Sequence, residues 1–260
     1  MLRRGVERVL LYGVLVQLAV MSLVYNLGAA LLLPFLRGAR GAAAGRTGIS
    51  RGYRLYWWFP RALGLLDIDA AALDALRDTP GGLIIAANHP TSLDALILVA
   101  RLPRSVCIMK AELMRNVFLG AGARLAQYIC NDSPRSMIRQ AVRTLREDGA
   151  QLVMFPEGTR TVRVPVNPFR PGLTLIADKA GVPIQTVLIE TETPYLGKGW
   201  PIWRVPPRFP VRIRVRLGER FAPDPDHDVL LERLQRYFDG ELRSGAREAA
   251  EPAVTTTVAS

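Results

Sequence analysis

The sequence predicts an α/β protein with a mainly parallel, mixed sheet flanked by helices and an N-terminal membrane-embedded helical segment. Short apolar runs of strand length alternate with helical segments from Gly82 onward. Such alternation is typical of a parallel sheet covered on both faces. An uncharged run from Val9 to Leu36 precedes this region. As a helix, that run would be roughly 40 Å long, more than the ~30 Å hydrocarbon core of a bilayer.

Composition narrows the possible partners. The chain has 260 residues, of which 49% are hydrophobic, and a formal net charge of +11. A basic surface attracts nucleic acid, anionic lipid or phosphorylated substrates, but no nucleic-acid-binding motif is recognisable, so we expect no nucleic-acid partner. Cys107 and Cys130 lie in apolar surroundings, and His89 and His227 are the only histidines. We therefore expect neither a disulfide framework nor a metal.

Residues 1–66 are predicted to form membrane-anchoring helices and a linker. The apolar run is too long for a signal peptide and lacks a convincing cleavage site. A small-residue linker is expected over 38–52, followed by an aromatic, arginine-bearing segment over 53–66. That composition suits the headgroup level of a bilayer, although the segment could instead pack its aromatic face on the core. The first helix could span the membrane or only embed in it.

Residues 67–222 are predicted to form the globular domain, and residues 223–260 a C-terminal helix and a disordered tail. Runs rich in β-branched and apolar residues predict strands. Proline suits the first turn of a helix, because its missing N–H would be unpaired there anyway. The alternation over 211–217 predicts a strand with one arginine face, which could be a solvated edge, a surface that faces anionic lipid or a surface for an acidic carrier protein. The predicted strands cover 83–87, 106–109, 128–130, 151–155, 182–190 and 211–217, and the predicted helices start near Pro90, Phe118, Pro134, Gly172 and Asp226 or Asp228.

The chemistry is predicted to lie in Asn88-His89-Pro90-Thr91-Ser92-Leu93-Asp94, between a strand and a helix. His89 can fold back over the first helical turn, where the Asp94 carboxylate can accept its ring N–H. A base held by an orienting carboxylate is an arrangement that activates a hydroxyl. The same stretch also fits a helix N-cap at His89 with Asp94 as a solvated first-turn acid.

A second stretch, Phe155-Pro156-Glu157-Gly158-Thr159-Arg160, also follows a predicted strand. Ligands of open α/β sheets bind beyond the carboxyl ends of the strands, so both stretches could share one mouth. Gly158 would let the backbone approach a ligand, and Arg160 could grip a phosphate. Glu157 could hold Arg160 or fix the loop. Taken alone, this stretch also fits an ordinary turn with a surface arginine.

Together the two motifs resemble those of the glycerolipid acyltransferase family, whose best-known members make phosphatidic acid from lysophosphatidic acid. The resemblance spans roughly 83–190. The stretch 182–187 is similar to the family's fourth block, a strand with a proline near the acyl-binding tunnel. The stretch 110–113 is similar to the lysine-containing segment that leads into the second block.

The resemblance implies an enzyme in which His89 and Asp94 are catalytic and no serine or cysteine forms an acyl-enzyme. The acyl donor would be acyl-CoA or acyl carrier protein, the other partner a membrane lipid, and no cofactor would be bound. The implied location is the inner (cytoplasmic) membrane, with the active site on the cytoplasmic side. The substrate-binding residues implied are Asn88, Lys110, Asn131, Arg135, Glu157, Gly158, Thr159, Arg160 and Pro183.

The second block departs from the family pattern. An arginine that contacts the glycerol phosphate usually stands where this chain has Asn131, and Arg135 or Arg139 could supply the charge instead. The sequence Tyr-Ile-Cys-Asn-Asp at 128–132 resembles a branch that accompanies aryl-polyene lipid gene clusters, which implies a different acceptor. A non-catalytic membrane-bound interaction protein is the alternative from another class. It predicts decay of the histidine–aspartate motif, which is intact here.

Overall fold

The computed structural model describes residues 2–193 and 195–250. Two long helices, α1 (Leu2–Leu32) and α2 (Gly38–Ala62), precede the sheet. The strands are β1 (Leu66–Asp69), β2 (Leu83–Ala87), β3 (Ser105–Met109), β4 (Ile129–Cys130), β5 (Gln151–Met154), β6 (Ile184–Thr191) and β7 (Val211–Phe221). The remaining helices are α3 (Asp94–Arg101), α4 (Ala111–Met114), α5 (Gly120–Leu125), α6 (Pro134–Glu147), α7 (Gly172–Ala180) and α8 (His227–Ala250), with a 3-10 helix at Ala71–Leu76.

The strands described form one sheet in the order β1-β7-β6-β2-β5-β3-β4. Neighbouring strands are parallel, except that β6 and β7 are antiparallel. β7 and β1 therefore run against the other strands. All five residues of β2 are buried, which is the pattern of a central strand covered on both faces. The predicted fold class, a mainly parallel mixed sheet, is confirmed.

Helices cover both faces of the sheet. Ile85 and Ala87 of β2 face a core shared with α1, α2 and α3, whereas Ile84 and Ala86 face a core shared with α6, α7 and α8. This alternation follows from the period of two along a strand. Because five strands run in the same direction, their carboxyl ends lie along one edge of the sheet, which we call the carboxyl edge.

Helix α1 packs along the globular domain. Leu11 and Val14 are buried in the core shared with α2 and α3. The Asn26 Oδ1 atom accepts a hydrogen bond from the Gly122 backbone N–H at 2.8 Å. The opposite face of α1 is apolar and exposed, and α1 is a helix long and apolar enough to cross a membrane by length and composition. The exposed side chains of this face include Val9, Val16, Val20, Val24, Leu27 and Leu31.

The predicted linker over 38–52 is wrong, because this segment forms the first half of α2. Its small residues let the helix approach its neighbours closely. A Cβ atom at Gly45 would lie 2.6 Å from the Ala126 backbone nitrogen, and one at Gly48 would lie 2.9 Å from the Tyr25 ring. Tertiary packing thus overrides the weak helix propensity of glycine.

Other element boundaries also differ from the predictions. Strand β1 was not predicted, and the domain boundary expected at residue 66 cuts through it. Helix α3 begins at Asp94, four residues after the proline expected to open it. Strand β7 lies between β1 and β6, so it is not an edge strand. Helix α8 continues to Ala250, so the expected disordered tail is helical over 244–250, while 251–260 lie outside the described residues.

Two of the three arginines on the predicted arginine face of β7 have carboxylate partners, whereas Arg214 is exposed and has no ion pair among the described residues. Arg212 lies 3.5 Å from Glu192. Arg216 lies 2.9 Å from Glu190 and 2.7 Å from Glu241. These carboxylates offset much of the positive charge that the alternating sequence suggested for a carrier-protein surface.

We predict that Gly45→Ala destabilises the protein by about 1–3 kcal/mol, because the added methyl group meets the Ala126 backbone. Gly52→Ala in the same helix is the matched control. A Cβ atom there meets nothing within 4 Å, so that change should stabilise the helix by about 0.5–1 kcal/mol. Denaturant unfolding of both purified variants measures the two effects, and equal shifts in stability would contradict the close packing of α2.

Candidate active site

The site begins where β2 ends at the carboxyl edge. Asn88 is buried and clamps the end of β2 to β6 through its side-chain amide. Its Nδ2 donates to the Ile189 carbonyl at 2.8 Å, and its Oδ1 accepts from the Ile189 N–H at 2.7 Å. These two bonds fix the backbone from which the next side chain, His89, leaves the sheet. Asn88 therefore fixes the position of the His89 backbone relative to β6.

The His89 ring lies against Asp94, as the sequence predicts. Its Nδ1 atom is 2.8 Å from Asp94 Oδ2. The ring also stacks on Phe155, with centroids 3.9 Å apart and an interplanar angle of 17°. The His89 side chain is 18% exposed, whereas that of Asp94 is fully buried. Nε2 of His89 has no hydrogen-bond partner among the described residues.

The Asp94 carboxylate is held by more than the histidine. Its Oδ2 accepts the Thr91 backbone N–H at 2.8 Å, and its Oδ1 accepts the Thr91 hydroxyl at 2.6 Å. Burial raises the pKa of the Asp94 carboxyl, and the hydrogen bonds from His89 and Thr91 act in the opposite direction. The alternative of a solvated first-turn acid is wrong, because the carboxylate is fully buried.

Glu157 joins the two predicted motifs. Its Oε1 accepts the His89 backbone N–H at 2.9 Å and the Thr161 hydroxyl at 2.7 Å. Its Oε2 accepts the Asn167 backbone N–H at 2.8 Å. Of the two roles predicted for this side chain, the geometry matches fixing the loop. The buried carboxylate thus ties the loop over 156–171 to the backbone of the histidine.

Arg160 ties the same loop to the long loop after β6. Its Nη1 atom donates to Ser92 Oγ at 2.9 Å, to the Leu196 carbonyl at 2.8 Å and to the Gly197 carbonyl at 2.9 Å. Its Nε and Nη2 atoms make no hydrogen bond within residues 2–193 and 195–250. The guanidinium therefore lies beside the histidine motif with donors left for an anion.

Gly158 lies at the exposed turn of this loop. Its φ of +67° is a left-handed conformation that glycine adopts at little cost. A Cβ atom there would lie 2.5 Å from Nε of Arg170, so the Arg170 side chain lies directly over the glycine. Arg170 is exposed, and no carboxylate of the described residues forms an ion pair with it. Sequence reasoning missed Arg170, whose only signal was a second arginine late in the loop.

Lys110 and Asn131 follow neighbouring strands at the same edge. Lys110 precedes α4, and the Asn131 backbone N–H donates to the Met109 carbonyl at 2.8 Å. Both side chains are exposed, as is that of Arg135 on α6. Strand β5 separates β3 and β4 from β2, so these residues lie roughly 10–15 Å along the edge from His89.

Pro183 lies at the amino ends of the parallel strands, opposite to the carboxyl edge. Its carbonyl accepts the Ile84 N–H at 3.1 Å at the start of β6. Because β2 and β6 are parallel, Pro183 is a strand length away from His89 and does not join the other predicted residues. Thr159, half-buried between Gly158 and Arg160, stays in the loop at the carboxyl edge.

Fold and site together define an α/β protein that carries a hydrogen-bonded histidine–aspartate pair at the carboxyl edge of its sheet. A family model for acyltransferases matches residues 72–190. The 1-acyl-sn-glycerol-3-phosphate acyltransferase alpha of Mus musculus is 31% identical over 148 residues, which cover 54% of this chain and 52% of that protein. The 1-acyl-sn-glycerol-3-phosphate acyltransferase of Helicobacter pylori is 29% identical over 168 residues, which cover 62% and 68%.

A solved structure shows the same fold. It is the 1-acyl-sn-glycerophosphate acyltransferase PlsC from Thermotoga maritima, with a TM-score of 0.64, 19% identity and coverage of 94% of this chain and 96% of that one. The alignments span about half the length of the first curated relatives. These similarities agree with the resemblance of the two motifs to those of the glycerolipid acyltransferases.

We predict that Glu157→Ala destabilises the fold by about 1–3 kcal/mol or more, because the backbone N–H groups of His89 and Asn167 lose a buried acceptor. Glu112→Ala is the control, since Glu112 is exposed on α4. Chemical denaturation of the two variants measures the difference. A Glu157→Ala protein as stable as the control would show that this carboxylate does not hold the loops together.

Proposed function

We propose that this protein is a membrane-bound O-acyltransferase that moves a fatty acyl group from a thioester to the hydroxyl of a lysophospholipid such as 1-acylglycerol-3-phosphate. The contact that carries the proposal is the 2.8 Å hydrogen bond between His89 Nδ1 and Asp94 Oδ2. Both oxygens of the Asp94 carboxyl already accept hydrogen bonds from Thr91, so Nδ1 of the neutral His89 ring is the donor to Oδ2 and Nε2 has a free lone pair. The names of the relatives support the same chemistry.

In the proposed reaction, Nε2 of His89 removes the proton of the acceptor hydroxyl as its oxygen attacks the thioester carbonyl. The tetrahedral intermediate expels the thiolate, which takes the proton back from the imidazolium. Asp94 stabilises the imidazolium and keeps the ring oriented. The ester bond forms as the carbon–sulfur bond breaks, and the enzyme returns to its starting state without redox chemistry.

The surroundings of His89 support direct transfer. Ser92 Oγ bonds Arg160 and the Leu196 carbonyl instead of the histidine. Burial raises the pKa of the Cys107 thiol to about 12, so it stays protonated at neutral pH and is a poor nucleophile. No hydroxyl or thiol of the described residues forms a hydrogen bond with the His89 ring, so the acceptor itself is the proposed nucleophile.

Two backbone N–H groups near the site, those of Gly158 and Ser92, already have acceptors within the protein. The Gly158 N–H donates to the Phe155 carbonyl at 2.9 Å, and the Ser92 N–H donates to the Leu196 carbonyl at 3.1 Å. The backbone N–H groups of Thr159 and Arg160 have no acceptor among the residues described. We assign these two donors to the developing oxyanion, a role worth on the order of 3 kcal/mol each.

Two arginines would hold the acceptor phosphate. Arg160 has Nε and Nη2 available, and Arg170 extends over Gly158. Charge-assisted bonds from a guanidinium fork suit a phosphate group. Lys110 lies further along the edge, where it could contact the donor. This basic mouth favours a phosphorylated acceptor, even though Asn131 replaces the arginine usual in the second block.

The membrane contact is proposed for the exposed faces of α1 and α2. One side of α1 is buried on the protein and the other is an apolar stripe. A helix packed in this way along its length lies in the interface instead of spanning the bilayer. Leu55, Trp58 and Phe59 of α2 add exposed apolar area. With acyl-CoA or acyl carrier protein as donor, the site would face the cytoplasm at the inner membrane.

His89→Ala should lower the turnover number by about 10²–10⁴-fold, because the general base is lost. His227→Ala is the matched control. The Nε2 atom of His227 lies 3.1 Å from Asp178 Oδ2, so it is a second histidine–aspartate pair that the mechanism does not use. An assay of thiol release with acyl-CoA and 1-acylglycerol-3-phosphate compares the variants. Full turnover by folded His89→Ala would refute the proposal.

Arg170→Ala should raise KM for a phosphorylated acceptor by about tenfold or more, since one charge-assisted hydrogen bond is lost. Turnover at saturation should change little. Arg236→Ala, an exposed arginine on α8, serves as control. With monoacylglycerol, which lacks the phosphate, both variants should match the parent protein. If Arg170→Ala left KM for the phosphorylated acceptor unchanged, Arg170 would not be a phosphate ligand.

A further inference from the structure

A cavity of about 460 Å³ lies between α2, α3 and the end of β1. This volume is within the range of small-molecule sites. Its walls combine three arginines and two tryptophans with small and branched apolar side chains. The residues that matter for its chemistry are Arg54, Trp57, Trp58, Arg61, Ile97 and Arg101.

The cavity is separate from the catalytic pair. Strand β1 runs against β2, so its carboxyl end at Asp69 lies at the edge opposite to His89. Helix α3 starts at Asp94 in the active site and ends at Arg101 beside the cavity. Its rise of about 1.5 Å per residue separates the two places by roughly 10 Å.

The mouth of the cavity is positively charged. Arg54 and Arg61 are exposed one above the other on α2, and no carboxylate of the described residues forms an ion pair with either. Arg101 is different, because its Nη1 lies 2.9 Å from Asp74 Oδ2. Two guanidinium groups are therefore left for an external anion, and such groups suit phosphate.

Trp57 provides an independent sign of a missing partner. This residue is only 7% exposed and lines the cavity. Its indole Nε1 atom is buried and has no acceptor within the part of the chain that the structure describes. Buried indole N–H groups usually find a partner. The cavity wall therefore contains an indole N–H whose hydrogen bond is not satisfied within the described residues.

The apolar walls indicate that the ligand also has a hydrocarbon part. Ile68, Ala70 and Ile97 are buried walls. Trp58 both lines the cavity and is 63% exposed, next to the exposed Leu55 on the same helix. Tryptophan and arginine with aliphatic neighbours match the boundary between headgroups and acyl chains. The cavity thus opens onto the surface already assigned to the membrane.

We propose that this cavity binds the phosphate headgroup of an anionic membrane phospholipid, with Arg54 and Arg61 as donors and the acyl chains along Trp58. The site is additional to the acceptor site, and its existence does not require the acyltransferase activity. It holds α2 at the bilayer surface by a specific contact instead of by charge alone.

Isothermal titration of the full-length protein in a nonionic detergent tests the proposal. The probes are dihexanoyl phosphatidylglycerol, which is neither acceptor nor product of the proposed reaction, dihexanoyl phosphatidylcholine and inorganic phosphate. Phosphatidylglycerol should bind at least tenfold more tightly than either of the others. Equal binding of phosphatidylcholine would contradict the proposal that the site selects an anionic headgroup. Equal binding of inorganic phosphate would contradict the proposal that the ligand is a lipid.

Two double variants distinguish binding in the cavity from attraction by the overall positive charge of α2. R54Q/R61Q should weaken phosphatidylglycerol binding at least tenfold, whereas R40Q/R51Q should leave it unchanged. Arg40 and Arg51 are exposed on the same helix but do not line the cavity. Ala62→Trp, which fills the mouth from an exposed position without changing charge, should weaken binding as strongly as R54Q/R61Q. Equal losses in both double variants, or full binding by Ala62→Trp, would refute the site.

Discussion

The Asp94 carboxylate is fully buried, and a buried carboxylate is costly unless its oxygens are hydrogen-bonded. Three donors meet this requirement: the Thr91 N–H, the Thr91 hydroxyl and the His89 ring. The first two come from the turn that precedes α3, so the turn and the carboxylate stabilise each other. The third fixes the orientation of the imidazole. Because Nδ1 is bound in this way, the ring presents Nε2 outward, and the proposed chemistry depends on that atom.

Parallel strands bring the rest of the site to the same place. β2 and β5 are neighbours, so the residues that follow them leave the sheet side by side. Glu157 then joins the two loops through backbone N–H groups, and Arg160 joins them to the loop after β6. The loops carry the functional groups, but buried polar contacts with the sheet edge hold them in place. A site preorganised in this way needs little rearrangement to receive a charged transition state.

Sequence reasoning succeeded where the relevant contacts are local and failed where they are not. The pairing of His89 with Asp94 depends on one turn of chain, so the motif predicts it. The start of α3 was predicted too early. The Thr91 N–H and hydroxyl donate to the Asp94 carboxylate, so Thr91 lies in the turn before the helix and not in its first turn. The proximity of Arg170 to Gly158 depends on the path of a whole loop. Pro183, which the resemblance places near the acyl-binding tunnel, lies a strand length from His89, and its role there stays a prediction.

The proposed mechanism requires that Asp94 fixes the tautomer of His89 with the proton on Nδ1 and the lone pair on Nε2. Long-range ¹H–¹⁵N correlation spectra of protein labelled at histidine nitrogen measure this directly, and His227→Ala leaves a single histidine to assign. At a pH where the ring is neutral, the spectrum should show a protonated Nδ1 and an unprotonated Nε2, and Asp94→Asn should perturb that pattern. A neutral ring protonated at Nε2 in the unmodified site would contradict the proposed role of His89 as the base, because Nε2 could not then remove the acceptor proton.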